Sequence, residues 1–92
     1  MEIRFYRDPS GLPHVHRHGF TEAEVREVLV SPLEDGAGAG GSRVAIGRTQ
    51  SARTLKVIYV PDPDGAGLFV ITAYEMTPKA LRALRRRLRN RS

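Results

Sequence analysis

The sequence predicts an α+β domain: a mainly antiparallel sheet carrying two helices, in the order β-α-β-β-β-α, over residues 1–92 as a single unit. Three observations predict it. Two segments open with helix-start signals and continue with apolar residues at helical spacing. Between them lie three segments of strand character joined by links too short for anything but hairpins. And 92 residues, 40% of them hydrophobic, suffice for one core and not for two.

The elements follow in order. Residues 2–6 (Glu-Ile-Arg-Phe-Tyr) alternate with Ile3 and Phe5 on one face, as a half-buried strand does. Asp8-Pro9-Ser10-Gly11 is a turn signal, and residues 12–19 read as extended or irregular. Thr21 with Glu24 forms a T-x-x-E capping box, flanked by Phe20 and Val25 at the spacing of a hydrophobic staple. Val25, Val28 and Leu29 then make one apolar helical face, which Ser31-Pro32 ends. Residues 34–42 (Glu-Asp-Gly-Ala-Gly-Ala-Gly-Gly-Ser) read as a flexible connector. Arg43–Thr49, Leu55–Val60 and Leu68–Tyr74 have strand character, with turn residues at 50–52 and 61–67. Thr77-Pro78 opens a last helix, with Thr as cap and Pro at the first helical position. Leu81, Leu84 and Leu88 form its apolar stripe, and Arg82, Arg85, Arg86 and Arg89 occupy other faces.

Charge is uneven along the chain. The net charge is +5, yet residues 79–92 hold seven cations and no acid, so the remainder is slightly acidic. Thirteen of the fifteen cations are arginine, whose planar fork suits bidentate phosphate contacts. Such a patch points to nucleic acid or an acidic partner. The chain has no cysteine, which excludes disulfides, thiolate metal sites and cysteine nucleophiles. No apolar run reaches the ~20 residues of a membrane span, and Met1-Glu2-Ile3-Arg4 lacks a signal-peptide core, so a cytoplasmic protein without membrane association is expected.

Several residue patterns bear on chemistry. Gly36, Gly38 and Gly41 match G-x-G-x-x-G by letter, but no strand feeds the run and a strand follows it, so it reads as a loop. His14, His16 and His18 form H-x-H-x-H, which in an extended segment places three imidazoles on one side. With Pro13 and Gly19 bracketing it and no acidic partner close in sequence, a metal site is not the expectation, and no cofactor is expected. His18 stands just before a helix start, where it serves either as a proton donor or acceptor near neutral pH or as a helix cap. Arg48 and Arg53 face one another across a hairpin turn. They form either a phosphate clamp or one ion-paired and one solvated arginine. Tyr74 ends the last strand, where it stacks on a base, donates to a phosphate oxygen, or fills the seam between sheet and helix.

The run His14-Val15-His16-Arg17-His18-Gly19-Phe20-Thr21-Glu22-Ala23-Glu24-Val25 resembles the BrnT-like proteins, or a related uncharacterised branch of them. So do Ile46-Gly47-Arg48-Thr49, Arg53 to Tyr59, Val70 to Tyr74 and the basic terminal helix. These are small toxins of type II toxin–antitoxin systems with a RelE-like fold. The likeness spans residues 5–88. It implies a metal-independent endoribonuclease, neutralised by an acidic or ribbon-helix-helix antitoxin. The alternative is a non-catalytic nucleic-acid- or protein-binding module of the same fold. The family positions matched here are His18, Arg48 and Arg53. The chain departs where the family's last strand usually ends Ser-Ala-Arg, having Thr72-Ala73-Tyr74, and in its opening Phe5-Tyr6-Arg7-Asp8. The catalytic set expected is therefore His18, Arg48 and Arg53 from the resemblance, joined by Tyr74, which stands where the family has arginine and could orient a base or supply a proton. Arg82, Arg85, Arg86 and Arg89 would track the RNA backbone, with affinity that falls steeply as salt rises.

Overall fold

The computed structural model describes residues 2–9, 11, 15 and 19–91. Its elements are β1 (Glu2–Phe5), α1 (Glu22–Val30), β2 (Glu34–Ala37), one turn of 3-10 helix (Ala39–Gly41), β3 (Arg43–Arg48), β4 (Thr54–Pro61), β5 (Gly67–Glu75) and α2 (Pro78–Arg91). The strands form one sheet in the order β1-β5-β4-β3-β2. β1 runs parallel to β5 and every other pair is antiparallel. The α+β class is as expected, but the sheet has one strand more than the order β-α-β-β-β-α allows.

That extra strand corrects the reading of residues 34–42 as a flexible connector. Glu34–Ala37 pair with Arg43–Ile46, although glycine and acids are poor strand formers. The physical reason is non-local. β3 offers a free edge, and cations on both faces of the sheet meet the two acids. Glu34 accepts from Arg87 and Arg91 on one face. On the other, Asp35 accepts from Arg43 Nε at 3.3 Å and from the Tyr59 hydroxyl at 2.8 Å. Burial, with the Asp35 carboxylate beside it, holds that hydroxyl above the ordinary tyrosine range, so it remains a donor.

α1 begins as its capping box dictates. Thr21 Oγ1 accepts from the Glu24 amide at 3.1 Å, and Glu24 Oε1 accepts from the Thr21 amide at 3.2 Å. Val25 and Val28 are wholly buried, and Phe20 joins them in the core. The helix rests on β3 at Gly47. A Cβ there would stand 3.1 Å from Val28 Cγ1 and 3.2 Å from its Cα, so any larger residue would have to push Val28 back by a few tenths of an ångström.

Alternation along the strands sorts the rest. Ala45 and Gly47, Leu55, Val57 and Tyr59, Leu68, Val70 and Ala73, with Phe5, pack on the α1 side. A register shift at Ile58/Tyr59 inserts Ile71 as an extra residue, which brings both Val70 and Ala73 to that side. The other face carries Val44 and Ile46, Lys56 and Ile58, and Thr72 and Tyr74. α2 covers part of this second face. Its Arg87 and Arg91 bond Glu34, the register partner of Ile46, and Leu84 and Ile46 are both buried. Thr77 caps α2, accepting from the Ala80 amide. Among the described residues no helix is long and apolar enough to cross a membrane.

Candidate functional site

Arg53 stands at the corner where α1 begins, β4 begins and β5 ends. Its guanidinium lies 4.5 Å from the centroid of the Phe20 ring. It donates to the Gly19 carbonyl at 3.2 Å. It also lies 3.5 Å from a carboxylate oxygen of Glu24 and of Glu75. The corner is knitted further by Ser51 Oγ, which donates to Glu24 at 3.0 Å and lies 2.8 Å from Thr49 Oγ1. Gly19 has φ +80°, a left-handed conformation that side chains rarely adopt, which suits glycine at the step after His18. Of the two hairpin arginines, Arg53 is thus the ion-paired one, held by Glu24 and Glu75. Arg48 is the exposed one.

Arg48 ends β3 two residues beyond the point where β2 stops covering it. With Ala23, Arg26, Glu27, Val30 and Gln50 it lines an open concavity of about 600 Å³ on the outer side of α1. Glu27 there accepts the Gln50 amide at 2.8 Å. The contacts of Arg53 run instead to Phe20, Gly19, Glu24 and Glu75, so no described contact joins the two arginines.

Tyr74 lies on the opposite side of the sheet from Arg53. Glu75 and Ala73 pair with Leu55 and Val57 on the α1 side, and the intervening Tyr74 pairs with Lys56 on the α2 side. Tyr74 is 44% exposed, and Lys56 beside it is exposed. On the same side α2 presents Arg82, Arg85, Arg86 and Arg89 to solvent. Among the described residues no ion pair holds Arg82, Arg85 or Arg86, whereas Arg87 and Arg91 are bound to Glu34. The tail's charge is therefore divided: two arginines fasten the helix to the sheet edge, and the others face outward.

The fastening titrates. The Arg87 hydrogen bonds draw the Glu34 carboxyl below its ordinary 4.5; burial opposes them, and the fields of Arg87 and Arg91 add to them. A depressed folded-state value means the bridge stabilises fully above the unfolded value and loses that contribution as pH falls through the folded one. Glu34→Gln is therefore expected to lower stability at neutral pH and to flatten the loss of stability on acidification. Urea unfolding at a series of pH values checks this; curves for the two proteins that run parallel would contradict it.

His14, His16 and His18 lie outside the described residues. Among the described residues no group of His, Cys, Asp or Glu is placed to hold a metal ion. Sequence reasoning overlooked two functional candidates. Lys56 becomes one only when the β4–β5 register sets it beside Tyr74. Glu24 doubles as helix cap and partner of Arg53 and Ser51, a role that nothing local in sequence signals.

Fold and site together define a small basic α+β domain with helices on opposite faces of a mixed five-stranded sheet and an outward arginine array on the terminal helix. No family profile, curated protein or solved structure matches this chain significantly.

Proposed function

We propose that this protein is the toxin of a type II toxin–antitoxin pair and cleaves RNA without a metal, as its resemblance to BrnT-like proteins implies. The observation that best supports cleavage is the hydrogen bond from Arg53 to the Gly19 carbonyl, which ties a guanidinium to the residue that follows His18. RNA carries its own nucleophile. A base removes the proton of the 2′-hydroxyl, the 2′-oxygen attacks phosphorus, the P–O5′ bond breaks, and an acid protonates the departing 5′-oxygen. His18 supplies one of the proton transfers, worth ~10²–10⁴-fold. Arg53 carries the charge that builds on the phosphate, exchanging the exposed Glu75 for it, and Arg48 enters from the end of β3. The outward arginines of α2 engage the backbone, and Tyr74 with Lys56 holds a base and its phosphate. An acidic or ribbon-helix-helix antitoxin neutralises the protein by covering these cations.

A second reading, a binding module that breaks no bond, is favoured by one feature: two carboxylates already balance Arg53. Incubation with single-stranded RNA in EDTA separates the two. The proposal expects products ending in a 2′,3′-cyclic phosphate and a 5′-hydroxyl, and a loss of at least about a hundredfold in His18→Ala. Binding without cleavage, or cleavage abolished by the chelator, would contradict it.

A further inference from the structure

We propose that the concavity on the outer side of α1 is a guanine-nucleotide pocket, in which Glu27 reads the base and Arg48, with Arg26, takes the phosphate.

The pocket is built from one helix face and one turn. Ala23, Arg26, Glu27 and Val30 recur at helical spacing along α1, and Arg48 and Gln50 wall them from the end of β3. Two carboxylates pin that turn to the helix. Glu24 accepts from Ser51 Oγ at 3.0 Å in the Arg53 corner, and Glu27 Oε2 accepts from the Gln50 amide at 2.8 Å in the concavity. The two sites therefore flank a single turn. The volume of about 600 Å³ lies within the range of small-molecule sites.

Three features define the occupant. The pocket is net positive, two arginines against one carboxylate, which favours an anion and opposes a cationic ligand. Its charges are not consumed internally. Among the described residues Arg48 has no hydrogen bond or ion pair, Arg26 lies 3.9 Å from its ion-pair partner Glu22, and Glu27 Oε1 has no partner. Apolar walls come from Ala23 and Val30; Val30, at 74%, is the most exposed large hydrophobic residue among those described. A flat ring carrying neutral N–H donors and a linked anion satisfies all three. Guanine presents two neighbouring donors, N1–H and N2–H, to the two oxygens of a carboxylate. Each oxygen has two lone pairs, so Oε2 serves the Gln50 amide and the base together. Adenine and cytosine offer one donor beside an acceptor, and uracil one donor between two acceptors, so each sets an acceptor against Glu27. Arg48 stands two residues before Gln50, at most about 7 Å along the chain, a distance that one nucleotide spans, and its planar fork suits a phosphate. An RNA strand with its scissile phosphate at Arg53 sets a neighbouring guanine in this pocket across the turn, an extension that rests on the proposed ribonuclease reading.

NMR titration of the full chain with the four ribonucleoside 5′-monophosphates tests the pocket without any cleavage. Guanosine monophosphate is expected to shift the amides of Ala23, Glu27 and Gln50 saturably, and the other three to bind at least about tenfold more weakly. Glu27→Gln still accepts the Gln50 amide but presents only one acceptor, so the preference for guanine should vanish. Arg48→Ala, which removes no described internal contact, should weaken all four nucleotides alike, and it decides the matter should Glu27→Gln fail to fold. Equal binding of the four nucleotides, shifts confined to α2, or indifference to Arg48→Ala would overturn the proposal. Cleavage of a mixed-sequence RNA separates the two readings. Cuts placed without regard to guanosine overturn the extension to RNA and leave the ribonuclease reading standing. Selective binding of guanosine monophosphate with no RNA cut supports the pocket and removes that reading.

Discussion

Arg53→Ala is expected to lose RNA cleavage by about 10²–10³-fold and, separately, to lower stability by about 2 kcal/mol. The two losses have different origins. Under the proposed function, cleavage falls because the guanidinium that would neutralise the scissile phosphate is gone. Stability falls because Arg53 is stacked on Phe20 and bonded to the Gly19 carbonyl, and its removal leaves Glu24, 13% exposed, without its cation. Arg53→Lys keeps the charge but loses the stacked planar fork. It should recover part of the activity and little of the stability. Thermal unfolding and single-turnover cleavage at low temperature, where both variants are folded, keep the effects apart. A folded Arg53→Ala protein that cleaves at the wild-type rate would make Arg53 a structural residue only.

Leu55→Ala is expected to cost about 3 kcal/mol, the largest effect of any single truncation considered. Leu55 is wholly buried in β4, opposite Gly47 in register and on the side that α1 covers. Removing three of its carbons empties the layer where Val28 comes closest to the sheet. A domain of this size has total stability of order 5–15 kcal/mol, so the change should lower the melting temperature by some 12–24 °C. Leu55→Met, which conserves volume, should cost less than about 1.5 kcal/mol. Calorimetry of the three proteins measures this, and a drop of only a few degrees in Leu55→Ala would mean that α1 does not close over β4 as described.

What could be read from sequence was what is local. The capping box at Thr21 and Glu24, the Thr77-Pro78 start and the β3–β4 and β4–β5 hairpins are each specified by residues within a few positions of one another, and each is found where they place it. β2 was illegible because its residues have poor strand propensity. It exists through cations supplied from Arg43, Arg87 and Arg91, the last two more than fifty residues away. The parallel pairing of β1 with β5 was hidden for the same reason. The site divides along the same line. The outward set Arg82, Arg85, Arg86 and Arg89 follows from helical spacing around Leu81, Leu84 and Leu88. The balancing of Arg53 by Glu24 and Glu75 depends on three separate elements. The separation of Tyr74 from Arg53 was available in principle, since period-two alternation sends Tyr74 and Glu75 to opposite faces.

The proposed function requires that phosphate be received at the corner where Arg53 meets Gly19. An NMR titration with a single-stranded RNA whose 2′-hydroxyls are methylated tests it most directly, because the ligand binds and cannot be cleaved. Resonances of the Arg53 Nε–H and the Gly19 amide are predicted to shift together with those of the α2 arginines, saturating at the same RNA concentration. Shifts confined to α2, with Arg53 and Gly19 unmoved at saturation, would contradict the account.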